Sequence, residues 1–68
     1  MKVSARNILP GRVVAVTKGV TTAHVKVELA RGLTVFSAIT NEAVDDLALK
    51  VSDSVSAVIK SSDVMIGK

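Results

Sequence analysis

Residues 22–29 alternate with period two. Ala23, Val25, Val27 and Leu29 fall on one side, and Thr22, His24, Lys26 and Glu28 on the other. That pattern belongs to a strand with one buried and one wetted face. Ala30-Arg31-Gly32 then offers a short hairpin turn, with a glycine where φ can be positive. Residues 33–39 return as the partner strand, with Leu33, Val35 and Ile39 on one face and Phe36 and Ala38 on the other. Upstream, residues 12–17 are nearly all β-branched or small and end in a Lys18-Gly19 turn. Pro10-Gly11 ahead of them predicts a break or bend after Ile8-Leu9.

Thr40-Asn41 reads as a helix N-cap, followed by Glu42 in the first turn, where an acid suits the helix dipole. One or two helical turns over residues 41–47 are too short to stand alone, so they are expected to plug an open end of the sheet. Residues 48–53 connect to another strand at 54–60, where Val55, Ala57 and Ile59 alternate with Ser56, Val58 and Lys60. Ser61-Ser62 interrupts it, and Val64 and Ile66 alternate with Asp63 and Met65 in a short last strand. Five strands and one short helix make an all-β chain, best accommodated as a five-stranded Greek-key barrel. The run Val13-Val14-Ala15-Val16 cannot all face one small core. A second buried face, between subunits, is therefore expected.

The 68 residues suffice for a single domain, 1–68. With no Cys, disulfides, thiolate metal sites and a Cys nucleophile are excluded, and a single His (His24) leaves no multi-His metal site within one chain. Asp45-Asp46 are neighbours that point apart, and neither a G-x-S-x-G turn nor a phosphate-binding G-x-x-x-x-G-K-[ST] loop occurs. An enzyme is not expected. The net charge of +3 is a mild bias toward anionic partners. There is no Trp or Tyr and one Phe, Phe36, a poor platform for stacking bases. Apolar runs reach only about four residues against the roughly 20 of a membrane span, and the opening residues lack the apolar core of a signal peptide. A cytoplasmic protein without membrane contact is expected.

Three short runs are rich in hydrogen-bond donors: Ser4-Ala5-Arg6-Asn7, Thr40-Asn41 at the helix start, and Lys60-Ser61-Ser62 at the strand break. A tetrahedral dianion needs many donors and one or two fixed positive charges. Arg6 and Lys60 would match its charge. Each run taken singly also reads as ordinary surface: Arg6 a solvated cation, Lys60 a strand-edge charge that blocks aggregation, Thr40 a cap.

Taken together, the runs resemble a known family. The S-A-R-N start with Gly11 before a Val-rich strand, Lys18-Gly19, Thr22-Ala23, Ala38-Ile39-Thr40 and the end Val58-Ile59-Lys60-Ser61-Ser62-Asp63-Val64-Met65-Ile66 are similar to the molbindins, small Mop-type molybdate-binding proteins of the TOBE/Mop domain family. The resemblance covers essentially the whole chain and departs from the family at Ile8, Pro10 and Arg12, none of them a primary donor, and at Ala43, where the family's hydroxyl would be missing and a site weakened by one hydrogen bond without being abolished. It implies a five-stranded barrel related to the oligonucleotide-binding (OB) class, subunits intertwined by exchanged elements, and a homo-hexamer built as a trimer of dimers. It implies molybdate, with tungstate as competitor, bound at subunit interfaces for intracellular storage or homeostasis. The first type of site would draw on Ser4, Ala5, Arg6, Thr40, Lys60 and Ser61; a second type, near the three-fold axis, on Gly19, Val20 and Thr22. An OB-type nucleic-acid-binding module is the alternative, opposed by the lack of aromatics. A ligand-free assembly module is another.

Overall fold

The computed structural model describes residues 3–68. Four strands form one antiparallel sheet: β1 (Asn7–Lys18), β2 (Thr22–Glu28), β3 (Thr34–Thr40) and β4 (Ser54–Ile59), in the order β3-β2-β1-β4. Three consecutive strands and a fourth that returns beside the first make a Greek key. A six-residue helix, α1 (Asn41–Asp46), lies between β3 and β4, and a 3₁₀ turn, Ser61–Asp63, follows β4. No helix among the described residues is long and apolar enough to cross a membrane.

β1 is the spine. Its first half pairs with β4, from Asn7 opposite Ile59 to Arg12 opposite Ser54. Its second half pairs with β2, from Arg12 opposite Glu28 to Lys18 opposite Ala23. The break expected at Pro10-Gly11 does not occur, because this stretch is bonded along one side only. A residue without an N–H is tolerated there. β1 curls as it passes from its pairing with β4 to its pairing with β2. The register slips by one residue between Val13 and Ala15. This β-bulge at Val14 tightens the bend, as the extra residue of a bulge does.

The bulge also resolves the crowded run. Val13 opposes Val27 and Val16 opposes Val25, so both face the concave core; Ala15 opposes Lys26 on the convex face. The inward residues thus switch from odd to even numbers across one unpaired valine. Val13, Ala23, Val25, Val27 and Val44 are the buried core, with Val16, Leu29, Val35, Ile39, Leu49 and Val55 packed against it. The faces expected for β2, β3 and β4 are the ones observed, except that Leu33 is exposed. In the β2–β3 turn both Arg31 (φ 58°) and Gly32 (φ 77°) are left-handed, as a two-residue type I′ turn requires.

The helix starts where its cap predicts: the Thr40 hydroxyl accepts from the Ala43 N–H at 3.0 Å. Val44 is its one buried residue and enters the core. Lys18 clamps the other end through an ion pair with Asp45. The helix ends in a Schellman arrangement, with the Ala48 N–H on the Asp45 carbonyl (3.0 Å) and the Leu49 N–H on the Val44 carbonyl (3.1 Å). Ala48 therefore takes φ 50°, a position that normally calls for glycine. Ala48→Gly is expected to raise stability by about 0.5–1 kcal/mol, the left-handed strain less the glycine entropy. A urea midpoint that does not rise would show that Ala48 carries no strain.

The fifth strand predicted at residues 64–66 is absent among the described residues. The segment is unpaired, and Met65 and Ile66 are each 90% exposed. Its alternation suits a strand, but β3 and β4, the two free edges, are both without it. The sheet is thus an open half-barrel. Between its edges runs an apolar trough of about 300 Å³, walled by Val35 and Ile39 of β3, Val55 and Ile59 of β4, and Leu47 and Leu49 beyond the helix.

Candidate functional site

Two donor clusters stand at opposite ends of β1. At the first end, Asn7 faces Ile59 in the ladder, and its side-chain Nδ2 donates to the Ile59 carbonyl at 3.2 Å. This contact joins residues 52 apart in the chain. It brings Ser4, Ala5 and Arg6, which lead into β1, beside Lys60 and Ser61, which lead out of β4. Lys60 is extended, and its carbonyl accepts the Asp63 N–H at 2.8 Å to start the 3₁₀ turn. The amides of Ser61 and Ser62 have no partner among the described residues. Arg6, Lys60 and Ser61 are exposed, and the ion pair among the described residues involves neither cation. The result is a guanidinium, an ammonium, hydroxyls and free amides at one edge, with Asp63 the nearest carboxylate in sequence. Such a set favours an oxyanion over a cation, and no cluster of potential metal ligands occurs among the described residues.

At the other end, Thr40 closes β3 opposite Thr22. Its oxygen accepts from the Ala43 N–H, which leaves the hydroxyl proton free to donate outward. The neighbouring β1–β2 turn closes with the Gly19 N–H on the Thr22 carbonyl at 2.8 Å. A Cβ on Gly19 would stand 2.8 Å from that carbonyl oxygen, so the turn demands glycine. Val20, at the tip, is 99% exposed. Gly19, Val20 and Thr22, read as one site, do share one turn, next to Thr40.

The six residues read as the first site do not come together within one chain. Ser4, Ala5, Arg6, Lys60 and Ser61 gather at the Asn7 end of β1. Thr40 lies at the Lys18 end, where Lys18 opposes Ala23 and Ala23 opposes Ile39. A ligand held by both groups must touch two chains.

Asn41, read from the sequence as part of the cap and of a donor-rich run, makes contacts here that the sequence did not signal. Its Nδ2 donates to the carbonyls of Gly19 (3.0 Å) and Val20 (3.2 Å), and its backbone N–H to that of Thr21 (2.9 Å). These contacts reach back across about twenty residues, so no local pattern signals them.

A model of the TOBE domain matches residues 3–66. Molybdenum-pterin-binding protein 3 of Clostridium pasteurianum is 52% identical over 66 residues, 97% of each chain. The solved structure of a molybdate-binding protein from Sporomusa ovata superposes with a TM-score of 0.93 at 34% identity, covering all of both chains. The molybdate-bound structure of the cytoplasmic molybdate-binding protein ModG superposes at 0.91 with 45% identity, covering 96% of this chain and 46% of that one.

Proposed function

The chain belongs to the TOBE-domain family, among its molybdenum-pterin-binding proteins, and from that premise we propose that it binds molybdate at the contacts between its own subunits. The split of donors between the two ends of β1 carries this reading. Arg6 and Lys60 offer two positive charges to a dianion; Thr40 of a second copy completes the shell; Ser4, Ala5 and Ser61 add hydroxyl and amide donors. Gly19, Val20 and Thr22 form a second kind of site where turns of several copies converge. Tungstate, with the same charge and shape, competes.

Surface accounting supports the oligomer. Among the described residues, five apolar side chains are buried, whereas thirteen large ones are exposed. A single chain in water does not keep that balance. An exchanged segment of a second copy covers the trough between β3 and β4 and completes the five-stranded barrel. Three such dimers make the hexamer. The alternation at residues 64–66 suits a strand that pairs outside its own chain.

The ligand is the bare oxyanion, not a pterin-bound metal. A pterin ring calls for a stacking surface, and the one aromatic, Phe36, sits mid-strand on the convex face under Lys26, whose Nζ lies 5.7 Å from the ring centroid. Neither donor cluster has a ring beside it. The chain carries out no reaction. As a single Mop domain, 1–68, it stores and buffers molybdate in the cytoplasm, where its relative ModG is placed by name.

Native mass spectrometry of the protein with molybdate, and with sulfate as control, tests this. A hexamer that gains several molybdate ions and ignores sulfate is the expected result. A monomer, or an oligomer indifferent to both ions, overturns it.

A further inference from the structure

Asn41 joins three consecutive carbonyls of the β1–β2 turn to the first residue of α1: those of Gly19 and Val20 through Nδ2, and that of Thr21 through its backbone N–H. The side-chain orientation is dictated by its partners, because an amide oxygen cannot face two carbonyl oxygens. The opposite atom, Oδ1, is buried without a donor. A buried acceptor left unpaired is unfavourable, so the contacts of Nδ2 are what this side chain provides.

Those contacts set the direction of the turn's donors. In a trans peptide the C=O and the following N–H point opposite ways. With the Gly19 and Val20 carbonyls drawn onto Asn41, the N–H groups of Val20 and Thr21 point away from it, and neither has a partner among the described residues. Successive outward amides of this kind form an anion-binding concavity. Asn41 also follows Thr40 directly, whose hydroxyl is fixed by the Ala43 N–H. We propose that Asn41 is a positioning residue for oxyanion binding at both kinds of site: it orients the turn amides and ties the turn to the helix start, where the Ala43 N–H holds the Thr40 hydroxyl, without itself touching the ion. The inference rests on the molybdate reading above.

The test is Asn41→Leu in the full chain, a neutral replacement of similar shape, with Asn41→Ala beside it in case Leu does not assemble. Molybdate titration followed by native mass spectrometry separates the two classes of site. Both classes are expected to weaken about tenfold, the equivalent of one or two ordinary hydrogen bonds, while the assembled mass stays unchanged. Arg6→Ala, by contrast, weakens one class only. Wild-type affinity in either class of the Asn41 variants overturns the joint role. So does a loss that merely tracks the fraction of unassembled protein. A wild-type protein that takes up no molybdate refutes the function itself. Amide exchange at Val20 and Thr21 then judges the turn alone: faster exchange in Asn41→Leu supports its hold on the turn, and equal rates overturn it.

Discussion

Arg6→Ala is expected to lower molybdate affinity by about 10–100-fold while leaving the subunit fold intact, since one hydrogen-bonded charge on an ionic ligand contributes about 1.5–3 kcal/mol. The fold is spared because Arg6 precedes β1, is exposed, and holds no salt bridge among the described residues. Lys60→Met keeps most of the stem but removes the second charge, and a loss of similar size is expected. If both cations grip one ion, the double variant loses less or more than the sum of the two, because contacts with a shared partner are not additive. Calorimetric titration of the three variants measures this. Binding at wild-type strength in Arg6→Ala would remove the residue from the site. Strict additivity would place the two cations on different ions. Added salt should weaken wild-type binding less than a surface ion pair, because contacts enclosed between subunits are poorly screened.

Gly11→Ala has the largest expected effect on the fold. The new Cβ would lie 2.6 Å from the Glu28 carbonyl oxygen, 2.8 Å from Val27 Cγ1 and 3.0 Å from Leu29 Cδ2. The nearest of these is backbone and cannot rotate aside. Gly11 is where the unpaired flank of β1 passes over the end of β2, so the clash forces the two strands apart. Overpacking of this kind costs about 1–3 kcal/mol. A 68-residue chain has a total stability of about 3–10 kcal/mol, so the loss is a large share of it. Urea unfolding reads the change. An unmoved midpoint would mean that β1 does not cross so closely over Glu28.

The parts of this structure that were legible beforehand are those whose cause is local. The period of residues 22–29 places Ala23, Val25 and Val27 inward, and they are buried. Thr40 announces the helix because its hydroxyl meets an amide three residues on. The hidden parts depend on distant neighbours. Pro10 looks like a break until β1 is known to be bonded on one side there. The Schellman turn at Ala48 is invisible because the residue is not glycine. The strand expected at 64–66 has the right alternation, yet alternation says which face would be buried and nothing about a partner. The site divides in the same way. Its residue types follow from donor-rich runs and the family likeness. That Thr40 is held apart from Arg6 and Lys60 follows only from the strand order, and the tie from Asn41 to Gly19 only from the folded turn.

The separation of Thr40 from Arg6 and Lys60 along β1 reaches into the behaviour of the protein in solution. An ion gripped from both ends belongs to a pair of chains, so its retention obeys mass action in protein as well as in ion. Dilution should then loosen the ligand, and ligand should drive association. A freshly made, scarce pool of chains would hold little. The same chains, once abundant, would cross a threshold into efficient capture, making the amount of protein itself a dial on the free ion concentration.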